Sequence, residues 1–227
     1  VFAFGGVSPQ VVDWLAPHFT SLGLNVSALG GQMDTASTRK NWATHPLRAG
    51  DAVAVLVASG DITLAATGTV SFVDDQRVIA FGHPMMSLGT VSLPMARSEI
   101  VAILPSSQSS LKVANTGEII GTINQDRLSA VAGRLGPGPE MIPIEIIVDY
   151  PDQSSRKLNF SAAKHTQLTA LAVGAGAAQA VLGSNDAGIT NGVHLQAEFV
   201  FTDGISVNTT AILSGPQGIS QGLGNFA

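Results

Sequence analysis

Along this chain the spacing of apolar positions changes twice, and those changes set out its elements. Phe2 to Phe4 reads as a short strand. Val11, Val12, Leu15, Phe19 and Leu22 then recur at helical spacing. Ser8 stands at the N-cap position and Pro9 at the first helical position, where a missing N–H costs nothing. Pro17 falls beyond the first turn, so the pattern predicts one kinked helix or two short ones, stopped at Gly23. From Gly30 to Gly50 no period is sustained. That stretch reads as a connection, with Trp42 and His45 as anchors and His45 as a loop histidine.

From Asp51 the period becomes that of strands. AVAVLVASG is a continuous apolar run, and in ITLAATGTVSFV, Thr69, Ser71 and Val73 alternate with Val70 and Phe72. Asp74, Asp75 and Gln76 form a turn, and Arg77 to Phe81 returns as the second arm of a hairpin that leads into Gly82-His83-Pro84. Further strands are expected at Thr90–Pro94, Ala96–Leu104, Leu111–Ala114, Glu118–Ile123, Ala130–Arg134, Ile142–Val148 and Lys157–Ala162. A serine-rich turn, Asn-Thr-Gly, Asn-Gln-Asp and the breaker-rich GRLGPGPEMIP separate them. An Ala-rich helix follows from about His165 to Leu182. A last hairpin, HLQAEFVF and ISVNTTAIL, is folded around Thr202-Asp203-Gly204.

The succession predicts a mainly β chain of the α+β kind. Its antiparallel strands close into a barrel, with the N-terminal helix and the Ala-rich helix packed outside. It divides into an N-terminal segment and linker, 1–49, and a β domain, 50–227. No repeat of fixed period is present.

Composition narrows the function classes. Charged residues make up 12% of the 227, and the net charge is −5 with no basic cluster, so no nucleic-acid partner is expected. Aromatics are only 5%, which leaves the core to Val, Ile, Leu and Ala. Low charge with 25 glycines suggests close strand packing and apolar surface for a protein partner or for self-association. There is no cysteine, which excludes disulfides, cysteine nucleophiles and thiolate metal sites together. The window 166–183 is interrupted by Gln167, Thr169 and Gln179 and reads as a helix lying on the body, so no membrane contact is expected. The chain opens at Val1 without a signal-peptide pattern and reads as a processed piece of a longer protein.

Candidate chemistry centres on His83, held between a glycine that permits a sharp turn and a proline that fixes its exit. A neutral imidazole there can accept a serine proton, or it can simply cap a strand end. The other histidines, His18, His45, His165 and His194, show no metal-ligand spacing, and neither metal nor cofactor is expected. Asp126 reads as a turn cap or a partner of Arg127.

GTVSFVDDQRVIAFGHPM, followed by GEIIGTINQDRLSAVAGRLG, resembles the SpoIVB-type serine peptidase family over about Gly50 to Gly138. In that family a strand pair ends in a Gly-His turn presenting the catalytic histidine, and a Gly-x-Ile-x-x-(Asn/Asp) segment precedes a small-residue strand. The resemblance implies a trypsin-like or related β-barrel, a bacterial envelope or secreted setting, and His83 as general base. The family's serine lies in a Gly-x-Ser-Gly-Ser-Pro-like turn, and this chain has no Gly-x-Ser-Gly. The nearest counterpart is Ser214 in Leu-Ser-Gly-Pro, with Asp203 in the preceding turn as the orienting acid. The expectation is therefore a degenerate, non-catalytic homologue outside the cytoplasm that binds protein or serves a structural role. Its rivals are an active serine endopeptidase using His83, Asp203 and Ser214, and a structural subunit of a larger assembly.

Overall fold

A computed structural model describes residues 2–21, 26–28, 46–105, 111–150, 152–183, 192–214 and 222. Trp42, His45 and the expected stop at Gly23 lie outside them.

The chain is mainly β. Its elements are β1 (Phe2–Gly5), α1 (Pro9–Ser21), β2 (Val26–Ala28), β3 (Ala52–Gly60), β4 (Thr63–Asp74), β5 (Arg77–Ala80), β6 (Gly89–Leu104), β7 (Leu111–Arg127), β8 (Ala130–Leu135), β9 (Met141–Asp149), β10 (Ser155–Ala163), α2 (Thr166–Leu182), β11 (Gly192–Val200) and β12 (Ser206–Ser214). Ten strands form one sheet in the order β2-β1-β4-β5-β8-β7-β6-β3-β10-β9. A further pairing of β3 with β4 closes six of them, β3 to β8, into a ring. β11 and β12 form a separate two-stranded sheet. Every pairing is antiparallel except β1 with β2.

Cross-strand partners share a face of a sheet, so the register traces one lining around the ring. Val55 lies beside Ala66 and Met95, and Val70 beside Ala80. Ala80 pairs with Val131, and Leu93 with Ile123. All of these are buried in one cluster. Ala54, Leu56, Ala65 and Ala96, from the opposite face, make a second, smaller cluster. Covering both faces of β3 explains why its sequence is a continuous apolar run rather than an alternating one.

The structure corrects several boundaries. Pro94 does not end a strand: β6 runs through it as one 16-residue strand whose ladder with β7 shifts register four times. β7 is likewise one strand of 17 residues. Asn115 and Thr116, expected in a turn, pair with Glu99 and Ser98, and Asp126 pairs with Gly89. The hairpin turn is Leu128-Ser129 instead. Bulges let the long ladder curve without breaking, and so tertiary pairing overrides local turn preference.

The N-terminal segment is built into the same sheet. β1 pairs with β4, and α1 is one helix that contains Pro17 and buries Val11, Val12, Leu15 and Phe19. Phe2 and Phe4 meet the Phe19 ring at 6.2 and 5.4 Å. Ser8 occupies the N-cap through its carbonyl, which accepts from Val12 N–H, while its hydroxyl is buried without a partner. α2 packs on β9, β10 and α1 and is buried continuously from Gly174 to Ala180. No described helix, α2 included, is long and apolar enough to cross a membrane. The two helices are joined by a hydrogen bond of 2.8 Å from Ser8 N–H to the Gln179 side-chain oxygen, with Gln179 buried. Replacing Gln179 by Ala strands that N–H and opens a small void. A stability loss of about 1–3 kcal/mol is expected in urea denaturation, with an unchanged slope.

Candidate functional site

The turn that carries His83 is an eight-residue loop, 81–88, joining β5 to β6 and shaped by its backbone. Phe81, Gly82, Ser87 and Gly89 all have positive φ, at 77°, 73°, 62° and 78°. For Phe81 that conformation costs roughly 1–3 kcal/mol, so its surroundings must hold it there. They do: Phe81 N–H donates to the Thr69 carbonyl at 2.9 Å, and its ring lies where a side chain at position 68 would be. A Cβ on Gly68 would come within 2.0 Å of the Phe81 ring. Gly68 therefore seats Phe81, and Phe81 in turn sets the direction of the chain into Gly82 and His83.

The rest of the loop is gathered by Asp126, at the end of β7 and only 1% exposed. Its carboxylate accepts backbone N–H bonds from Met85 at 2.7 Å, Met86 at 2.8 Å and Leu88 at 3.0 Å. Three charge-assisted bonds on one buried group form the strongest local constraint in this region. Asp126 is therefore neither a turn cap nor the partner of Arg127, whose guanidinium bonds Gln125 and Thr90. Sequence reasoning missed this role. The signal available was a loop rich in backbone donors, GHPMMSLG, with no carboxylate or side-chain amide of its own.

His83 itself is exposed. Its ring lies 5.8 Å from that of Phe81, and Nδ1 is 2.7 Å from the Pro84 carbonyl oxygen. A carbonyl only accepts, so Nδ1 carries the proton and the Nε2 lone pair is left to solvent. The backbone N–H groups of residues 85, 86 and 88 are already committed to Asp126 and do not form a hole for an oxyanion. A shallow, open depression of about 400 Å³ beside the loop is lined by Ser87, Gly89, Asp126, Arg127, Leu128 and Ser129. The one buried carboxylate it reaches is the one already saturated by the loop.

The other two residues of the expected triad are on the separate β11–β12 hairpin, and the hairpin keeps them apart. Asp203 sits in the turn, its Oδ1 accepting from Ile205 N–H at 3.0 Å. Ser214 is the last residue of β12, paired with Gly192 at the other end of the ladder. β12 is nine residues long, so about 26 Å of strand separates the turn from Ser214 at roughly 3.3 Å per residue. No single histidine can bond both. The triad of His83, Asp203 and Ser214 is not assembled.

His165 caps α2, its Nδ1 accepting from Gln167 and Leu168 N–H at 3.3 and 3.4 Å. Among the described residues no group of three or more His, Asp or Glu side chains could hold a metal ion. No family model, no curated protein and no solved structure matches the chain.

Proposed function

We propose that this chain is a SpoIVB-peptidase-like domain without peptidase activity, working outside the bacterial cytoplasm as a protein-binding or structural module. One observation carries the reading. His83 has a backbone carbonyl as its partner, while Asp203 and Ser214 lie at opposite ends of a hairpin in another sheet. The six-strand ring is the part that would correspond to a trypsin-like barrel, and the His83 loop is the part that would descend from a catalytic turn. The family and the compartment both rest on the sequence resemblance. A binding role is supported by the apolar side chains left on the surface, among them Val200 at 72%, Phe201 at 54% and Ile212 at 82% exposure.

A fluorophosphonate probe tests the reading. The folded protein is expected to take up no more label than the heat-denatured control. The rival reading, an active serine endopeptidase, draws on the His83 tautomer, which leaves Nε2 basic. It requires one serine to be labelled in the folded state and that label to be lost in His83→Ala. That result would replace the non-catalytic reading.

A further inference from the structure

We infer that β12 is a self-association edge, and that two copies of this chain pair β12 against β12, antiparallel, about a two-fold axis through Thr210. The inference deepens the binding-module reading and rests on it.

Native proteins protect exposed sheet edges with lysine, proline, bulges or very short strands. β12 has none of these devices. It is nine residues long, SVNTTAILS, with no charged residue and no proline, and its ladder with β11 runs without a register shift. Among the described residues it pairs only with β11, and no described strand lies on its other edge. β11, by contrast, carries Glu198 and His194 along its length. Val207, Thr209, Thr210 and Ile212 are β-branched, the residue type that suits an extended, laddered strand.

The occupant follows from the pattern of faces. Val193 with Leu213, Leu195 with Ala211, Ala197 with Thr209 and Phe199 with Val207 share one face of the hairpin. Val193, Leu195 and Leu213, at the base, pack on the body of the molecule. Val207 lies toward the tip and is 49% exposed. Full antiparallel overlap of two β12 strands places Val207 opposite Leu213, Thr209 opposite Ala211 and Thr210 opposite itself. Each copy then keeps its apolar face on the same side, whereas a one-residue slip would mix the faces. The exposed tip of one copy lies beside the body-packed base of the other, so a single occupant covers both the open edge and the apolar tip. Such a contact is isologous and closes at two copies. The net charge of −5 resists association in general, but no ionised group lies on the strand, so none is brought opposite its like.

The test uses Thr210, an exposed residue on the face away from the body. In sedimentation velocity at tens of micromolar, the wild-type chain is expected at twice its 23.2 kDa mass. Thr210→Lys and Thr210→Glu each set like charges face to face and are expected to shift fully to the monomer mass, with circular dichroism unchanged. An equimolar mixture of the two is expected to recover the dimer. The chain has no cysteine, so Thr210→Cys provides a register check. Directly opposed antiparallel residues lie about 4.5–5.5 Å apart, within disulfide reach. Thr210→Cys should therefore cross-link in air, while Ser206→Cys, whose expected partner is Ser214, should not. A monomeric wild type overturns the inference, whether or not it captures another protein or sediments with phosphatidylcholine vesicles. So does a dimer that both charged variants leave intact, or a mixture that stays monomeric. Fluorophosphonate labelling of one serine would instead remove the binding-module reading and leave the mass measurement standing.

Discussion

Asp126→Ala is expected to destabilise this protein by about 3–5 kcal/mol, far more than His83→Ala, although His83 is the residue that draws attention in the sequence. The carboxylate of Asp126 is buried and takes the N–H groups of Met85, Met86 and Leu88. Hydrogen bonds to a charged group contribute about 1.5–3 kcal/mol each, and donors left unsatisfied by truncation carry their own desolvation cost. The sum is not additive, because the loop can turn some of these amides toward water once it is released. Asp126→Asn keeps the shape but offers one acceptor oxygen and an amide that faces other amides, so a loss of about 2 kcal/mol or more is expected. His83 is exposed and bonded only to its neighbour's carbonyl, so His83→Ala should stay within about 0.5 kcal/mol. Urea denaturation of the three variants checks the ranking. Amide exchange checks the cause: in Asp126→Asn, protection should fall first at residues 85, 86 and 88. Equal losses for Asp126→Ala and His83→Ala would refute this account of the loop.

Gly121→Val is expected to have the second large effect, preventing the ring from closing as it does here. Gly121 pairs with Met95 on one side and Leu135 on the other. A Cβ at that position would sit 2.1 Å from the Arg134 carbonyl oxygen and 2.8 Å from the end of Met95. The methionine can move aside, but the carbonyl belongs to the backbone of β8 and cannot. β7 and β8 must therefore separate locally, with loss of ladder bonds and of packing around Met95. A cost of about 3–5 kcal/mol is expected, the range in which only core disruption or backbone conflict falls. Thermal and urea denaturation would measure it. A variant within about 1 kcal/mol of wild type would show that the ring absorbs the shift this close approach demands and would overturn the prediction.

These two residues also show where sequence reasoning reached and where it stopped. The strand runs of β3, β4 and β5, the turn at Asp74 to Gln76, α2 and the hairpin around Asp203 are all legible, because local pattern and tertiary demand agree there. The long ladder of β6 and β7 is not. Pro94, Asn115 and Asn124-Gln125-Asp126 each signal a break, yet β6 passes through the first and β7 through the other two, because each strand curves with its neighbour. The candidate site was legible only in part. The sharp turn at Gly82 follows from a glycine two residues before a proline, but the seat of Phe81 on Gly68 depends on contact across strands that no local window contains. For the same reason Asp126 could be noticed but not understood: its three partners lie about forty positions earlier. The separation of Asp203 from Ser214 could have been drawn from the hairpin itself, since a turn and a strand end in one hairpin are a strand length apart.

The hairpin of β3 and β4 belongs to two structures at once. β3 pairs with β6 through residues 53–55 and, past a bulge, with β10 through residues 58–60. β4 pairs with β1 through residues 63–66 and with β5 from Val70 onward. Within the described sheet, hydrogen bonding between the ring and the outer strands passes through this hairpin alone. In mechanical terms it is the hinge pin of the molecule. A pull on β9 and β10 is carried by the backbone ladder into the ring through the bulge between Leu56 and Ala58, and stiffening that one corner would stiffen the coupling between the layers.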